Sequence, residues 1–231
     1  MKNYLIVGAS SGIGKALAER LAQTDTAVFG TFNSTSSESR NGISYHHLNV
    51  LEENISFDFL PDTLDGMAYC PGSIILKPFH RIHTDEFAND YKLQVIGAVK
   101  TIQSVLPRLK RTPQSSIVLF STVAVQTGFN YHSMVSSSKG AIEGLTRALA
   151  AEFAPAIRVN CIAPSITDTS LASSLLNTEE KKQTSAQRHP LKKIGTADDV
   201  ASLAEFLLTD RSSWMTGQII HLDGGISAVK G

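Results

Sequence analysis

A doubly wound α/β fold built on a parallel sheet is what this chain predicts, on three observations. Short apolar runs alternate with helical patterns from end to end, which is the pattern of strand–helix–strand units. A glycine-rich turn, Gly8-Ala9-Ser10-Ser11-Gly12-Ile13-Gly14, follows the first apolar run directly. No linker, repeat or low-complexity block divides the 231 residues, so residues 1–231 read as one domain large enough for a proper core.

The first strand is expected over Tyr4–Val7, and the helix after the glycine turn carries Ile13, Leu17 and Leu21 at helical spacing. Further strands are predicted at Ala27–Thr31, Ile43–Leu48, Gly66–Cys70, Ile117–Phe120, Ile157–Cys161 and Gln218–Leu222. Together they make a Rossmann-type sheet of about seven strands with helices on both faces. Between the third and fourth strands, Leu51–Leu64 is short and contains Pro61, so a stunted helix or a loop is expected there. A long helix should run from Thr84 to Leu106, with Asp85 and Glu86 in its first turn and Pro107 just past its end. Another should run from Met134 through Phe153 and stop before Pro155. Thr196-Ala197-Asp198-Asp199 has the form of a capping box that opens the last helix.

Composition excludes several functions. Twenty-one basic residues balance twenty-one acidic ones without a block of either sign. A nucleic-acid-binding or membrane-surface protein would carry a basic stripe, so neither partner is expected. The apolar run Tyr4–Val7 is too short for a signal peptide or a membrane span. Two cysteines, Cys70 and Cys161, form no pairing motif, which fits a reduced, cytoplasmic protein. The pairs His46-His47 and His80-x-x-His83 lack a metal-ligand pattern, so no metal is expected.

Glycines at 8, 12 and 14 let the backbone turn sharply, approach a pyrophosphate and start a helix aimed at it. Other segments follow in order: Leu48-Asn49-Val50, Ser136-Ser137-Ser138-Lys139, Val159-Asn160-Cys161-Ile162-Ala163-Pro164 and Leu222-Asp223-Gly224-Gly225. With the Gly-x-x-x-Gly-x-Gly turn, they resemble the short-chain dehydrogenase/reductase family over nearly the whole chain, closest to its bacterial 3-oxoacyl carrier-protein reductases. That resemblance implies a nicotinamide cofactor held by Gly8, Ser10, Ser11, Gly12, Ile13 and Gly14, with Asn49 and Val50 at the adenine. Cys70-Pro71-Gly72 stand where the family usually has Asn-Ala-Gly beside the nicotinamide ribose, and Pro164, Ser165, Ile166 and Thr167 complete the cofactor set. Ser165–Arg188 corresponds to the mobile substrate lid. The family's usual assembly is a tetramer through its long helices, so a homotetramer or homodimer is implied.

The end of the second strand chooses between cofactors. An acid there would bind the ribose hydroxyls of NAD and repel a phosphate. This chain has Asn33 and Ser34 and no carboxylate before Glu38, which favours NADPH over NADH.

The family reduces carbonyls with a serine, a tyrosine, a lysine and an asparagine. The lysine is Lys139, and the serine position holds Thr122, preceded by Ser121. The asparagine position holds Gln94, one carbon longer. Four residues before Lys139, where the resemblance implies the proton-donating tyrosine, stands Val135. Tyr131 lies four residues earlier and would share its helix face, one turn away. His132 and water are the other donors open to the site. Enoyl reductases in the broader family use Tyr-x6-Lys, one residue closer than Tyr131 to Lys139. Phe79, His80, Phe129 and Tyr131 are candidates for a partly aromatic pocket. The resulting expectation is an NADPH-dependent oxidoreductase of a small or medium carbonyl substrate with an altered site. A carbon–carbon double-bond reductase and a nucleotide-binding pseudoenzyme are its rivals.

Overall fold

A computed structural model of the chain describes residues 1–35, 38–39 and 42–230. Ser36 and Ser37, within the acid-free stretch that bears on cofactor choice, and Gly231, the end of the expected domain, lie outside the described residues. Seven parallel strands form one sheet in the order β3-β2-β1-β4-β5-β6-β9. They are β1 (Lys2–Val7), β2 (Thr26–Phe32), β3 (Ile43–His47), β4 (Gly66–Tyr69), β5 (Ser115–Phe120), β6 (Ile157–Pro164) and β9 (Ile219–Leu222). A separate parallel pair, β7 (Thr167–Asp168) with β8 (Gly195–Thr196), was not anticipated; at two residues each, these strands are too short to leave a periodic signal.

Both faces of the sheet are covered, as parallel sheets require. Side chains alternate along β1: Tyr4 and Ile6 pack with Leu17 and Leu21 of α1 (Gly12–Leu21) and with Ala201 and Leu208 of α6 (Ala197–Leu208). Leu5 and Val7 face the other way, into a core shared with Ile102 and Leu109 of α3 (Gly97–Lys110) and Ile142 of α4 (Ser133–Phe153). α6 opens on a true capping box. The Thr196 hydroxyl accepts from the Asp199 amide at 3.1 Å, and the Asp199 carboxylate accepts from the Thr196 amide at 2.8 Å. Residues 51–64 form a loop that tucks Phe57, Leu60 and Leu64 into the core.

The long helix departs from expectation twice. It is three pieces rather than one: α2 (Thr84–Tyr91), a π-helical turn over Lys92–Ile96, and α3. The wide turn has a cause in β4. The Tyr69 hydroxyl donates to the Leu93 carbonyl at 2.6 Å, and a Cβ on Gly97 would stand 2.2 Å from that hydroxyl. Only glycine at 97 lets the ring approach so closely. The helix also continues through Pro107 to Lys110. The bond that Pro107 cannot make falls on an exposed face. Beyond it the last turn is held by buried Leu109 and by the Arg108 guanidinium, which donates to the carbonyls of Pro61 and Phe57. Among the described residues no helix is long and apolar enough to cross a membrane.

Candidate active site

The strand order reverses between β1 and β4, and ligands of such sheets bind at the carboxyl ends of the strands at that point. There the loop after β1 meets the loop after β4: the Cys70 amide donates to the Val7 carbonyl at 3.0 Å, and Gly8 abuts Pro71. Gly8 and Gly12 have φ of 79° and 51°, in the left-handed region that glycine adopts freely. Gly14 is constrained by space: a Cβ there would lie 2.2 Å from the Gly8 carbonyl oxygen. The turn is therefore as tight as the chain permits, and it delivers the first amides of α1 to the crevice. Ser11, at the helix N-cap, makes no capping bond with its side chain. Thr31 ties in β2, its hydroxyl accepting from the Gly8 amide at 3.2 Å and its carbonyl from Ala9 at 2.7 Å. Asn33 and Ser34 follow on the exposed rim. Free amides at a helix N-terminus, a glycine cradle and an acid-free strand end fit a dinucleotide.

A cleft of about 770 Å³ opens beside this turn. Ile13, Cys70, Gly72, Gln94, Thr122, Lys139, Pro164, Ser165, Ile166 and Thr167 all line it, as does Val135. The segment expected to be the lid forms its outer wall, through a 3₁₀ turn over Ser170–Ala172 and α5 (Glu179–Gln187). Gly8, Ser10, Ser11, Gly12, Gly14, Asn33, Ser34, Asn49, Val50 and Pro71 are not in the cleft wall.

At the catalytic end, Thr122 caps a 3₁₀ turn (Val123–Val125), its hydroxyl oxygen accepting from the Ala124 amide at 3.3 Å. Its own proton remains available to an oxygen in the cleft. Ser121 is committed elsewhere, donating to Glu143 at 2.8 Å. Lys139 donates from Nζ to the Phe120 carbonyl at 2.9 Å. Burial lowers its pKa to about 8, against the opposing influence of Cys161, Asp90 and Cys70. Burial also pushes the Cys70 thiol up to about 12, so it is neither a thiolate nor a ready nucleophile. Gln94 is buried, and its amide nitrogen donates to both carboxylate oxygens of Asp90, at 2.8 and 2.9 Å.

Tyr131 is not where the sequence reading put it. α4 begins at Ser133, so Tyr131 precedes the helix and shares no face with Val135. It has φ of 69°, is 57% exposed and does not line the cleft. The aromatic pocket is corrected in the same way. Phe79 is exposed and packs edge-on against Phe87, His80 is exposed, and of the four candidates only Phe129 reaches the cleft. His132 does line it. Its Nδ1 donates to the Asn130 carbonyl at 2.8 Å and Phe129 packs beside the ring, which leaves Nε2 without a partner among the described residues. Two features escaped the sequence reading: buried Asp90, which stands behind Gln94 of the cleft wall and looks like an ordinary surface acid of a helix, and, in the cleft itself, the Ser165–His189 hydrogen bond of 2.8 Å. An acid placed i, i+4 to Gln94 was the available signal for the first.

This geometry has counterparts among known proteins. The family model described as enoyl-(acyl carrier protein) reductase matches residues 46–227. A tropinone reductase homologue of Arabidopsis thaliana is 30% identical over 98% of this chain and 92% of its own length. The chain belongs to the short-chain dehydrogenase/reductase family. Another relative, the 3-oxoacyl-[acyl-carrier-protein] reductase of Aquifex aeolicus, is 29% identical over 97% of each chain. The ligand-free aldohexose dehydrogenase of Thermoplasma acidophilum shares the fold with a TM-score of 0.89 at 24% identity, covering 99% of this chain and 95% of that one. ElxO, solved with NADP bound, has a TM-score of 0.86 at 25% identity over 97% and 98%. As a short-chain dehydrogenase/reductase, the chain is an oxidoreductase of that type.

Proposed function

We propose that the chain is one domain acting as an NADPH-dependent reductase of a small or medium carbonyl compound, with His132 in place of the family's tyrosine as proton donor. The observation that carries this reading is the convergence of Thr122, Lys139, Val135 and His132 on one cleft beside the glycine turn. The cofactor, when bound, supplies hydride to the carbonyl carbon. The protein's part begins with Thr122, whose hydroxyl holds the carbonyl oxygen as negative charge builds on it. Lys139 grips the ribose and places a cation behind that oxygen. His132, pinned through Nδ1, gives a proton from Nε2 to the oxygen as the new C–H bond forms, leaving a neutral imidazole and an alcohol. Val135 adds apolar wall where the family's phenol would stand, and Ser165–Arg188 closes the cleft as a lid.

NADPH is favoured over NADH because Asn33 and Ser34 offer donors to a 2′-phosphate and no carboxylate opposes it before Glu38. Two free cysteines fit the cytoplasm, and the family's habit of oligomerising supports a homotetramer or homodimer. A carbon–carbon double-bond reductase is the second reading, favoured by the family model that matches this chain. Following NADPH oxidation against ketones, enones and acyl thioesters decides between them. Turnover of saturated ketones supports the first reading and turnover of enones alone the second. Firm NADPH binding without any turnover would leave a pseudoenzyme.

A further inference from the structure

We infer that Asp90 is a positioning residue of this cleft, holding the Gln94 amide and the charge on Lys139 from beneath Gly72. The inference rests on the role given to Lys139 above. Asp90 is 3% exposed, yet its carboxylate is fully engaged. One oxygen accepts from the Ser73 hydroxyl and the Gln94 amide nitrogen, the other from the same nitrogen and from the Ser138 hydroxyl at 2.6 Å. Every contact comes from a group able to donate, which is how an ionised carboxylate is satisfied when buried.

The consequence for Gln94 is directional. Its nitrogen is taken up by Asp90, so its Oε1 must face the other way, and that atom is buried without a partner among the described residues. The point where a Gly72 Cβ would sit lies 3.5 Å from this oxygen and 3.7 Å from Lys139 Nζ. An unused acceptor and an ammonium with protons to spare thus flank one small space, kept open because residue 72 has no side chain. Ser138 immediately precedes Lys139 on α4, so the bond it makes to Asp90 also ties down the turn that carries the lysine.

The charges around Lys139 single out Asp90. Cys161 of β6 and Cys70 after β4 both act on the lysine, but burial holds both thiols up at about 12, so they are neutral where the lysine titrates. Glu143, one turn along α4, is engaged by Ser121 at 2.8 Å and by Arg147 at 3.6 Å. That leaves the α2 carboxylate as the anion that keeps a buried ammonium protonated in an environment that disfavours it.

The test reads Lys139 directly. Side-chain NMR of ¹⁵N-lysine-labelled protein, assigned with Lys139→Met, should place the wild-type titration near pH 8. In Asp90→Asn it should fall by about 1 unit or more, as loss of a nearby opposite charge does, and the basic limb of NADPH affinity should move down with it. An unchanged titration in a folded Asp90→Asn protein overturns the inference. Should that variant fail to fold, the wild type alone decides: the Asp90 ¹³Cγ resonance should inflect where Lys139 titrates, and a resonance flat through that range overturns the inference. Neither readout needs turnover. The expected shifts without activity would sink only the reductase reading, and activity without the shifts would sink only this one.

Discussion

His132 and Tyr131 are neighbours in sequence with opposite surroundings, one in the cleft wall and the other in solvent. Tyr131→Phe should therefore leave turnover within about two-fold of wild type, whereas losing a positioned general acid costs ~10²–10⁴-fold. Steady-state rates of Tyr131→Phe and His132→Gln, with NADPH affinity measured alongside, check this; equal losses from both would return the donor role to the tyrosine region as a whole. Lys139 allows a prediction that needs no substrate. Its folded-state pKa, near 8, lies below the usual lysine value of 10.5. Between those values the unfolded chain binds the extra proton, so this group's contribution to stability rises with pH across that window. Below pH 8 the folded protein carries the full penalty of a buried ammonium. Lys139→Met should thus be more stable than wild type at pH 7, with the difference shrinking between pH 8 and 10.5 in urea unfolding. Asn33→Asp should reverse the cofactor preference by repelling the 2′-phosphate. Titration calorimetry with both reduced cofactors measures this, and a wild type that already prefers NADH would remove the premise.

Between β4 and the long helix, one contact decides the shape of the wall that carries Gln94. Tyr69, Gly97 and the Leu93 carbonyl form a unit in which a phenol fills the room a missing side chain leaves. Gly97→Ala should cost about 1–3 kcal/mol, since overpacking at 2.2 Å forces the ring or the helix to move. Tyr69→Phe should cost about 1 kcal/mol by removing the hydrogen bond to the partly buried Leu93 carbonyl. Denaturant midpoints test both, and a Gly97→Ala protein as stable as wild type would show that the turn is not held by this contact. The same helix shows what a sequence conceals. Apolar periodicity announced α4 and the sheet strands, and the threonine-to-aspartate spacing announced the cap of α6. The π turn left no trace, because its cause is a tyrosine on a different element, distant in sequence. Tyr131 was misplaced for a related reason: the predicted helix start, Met134, is one residue from the observed Ser133, but helical spacing does not extend past that end, and the turn before it carries the side chain to solvent. The glycine positions were legible because the tight turn demands those residues; Asp90 was not, because burial of an acid is decided by what packs over it.

Across the whole molecule, the exposed face of α4 offers a surface for assembly. Gly140, Gly144 and Ala148 recur at helical spacing, Gly144 and Ala148 are exposed, and among the described residues nothing beyond the adjoining helix backbone lies within 4 Å of where a Gly144 Cβ would be. Small residues let helices approach closely. Light scattering at micromolar concentration should find a dimer or tetramer, and Gly144→Arg should drive it towards monomer without unfolding it; a monomeric wild type would refute the assignment. The order of strands also governs how the chain comes off the ribosome. β1, β2 and β3 are contiguous and can pair as soon as they emerge, but β6 finds its outer neighbour only in Ile219–Leu222. Until that last strand arrives, the outer edge of a strand that is almost wholly buried in the finished fold stands open with its amides and carbonyls unpaired. The nascent chain thus passes through a late, sticky stage in which β6 can recruit a strand from another molecule. A chain stopped after residue 217 should accumulate in inclusion bodies, and supplying the missing segment as a separate peptide during refolding should return it to solution.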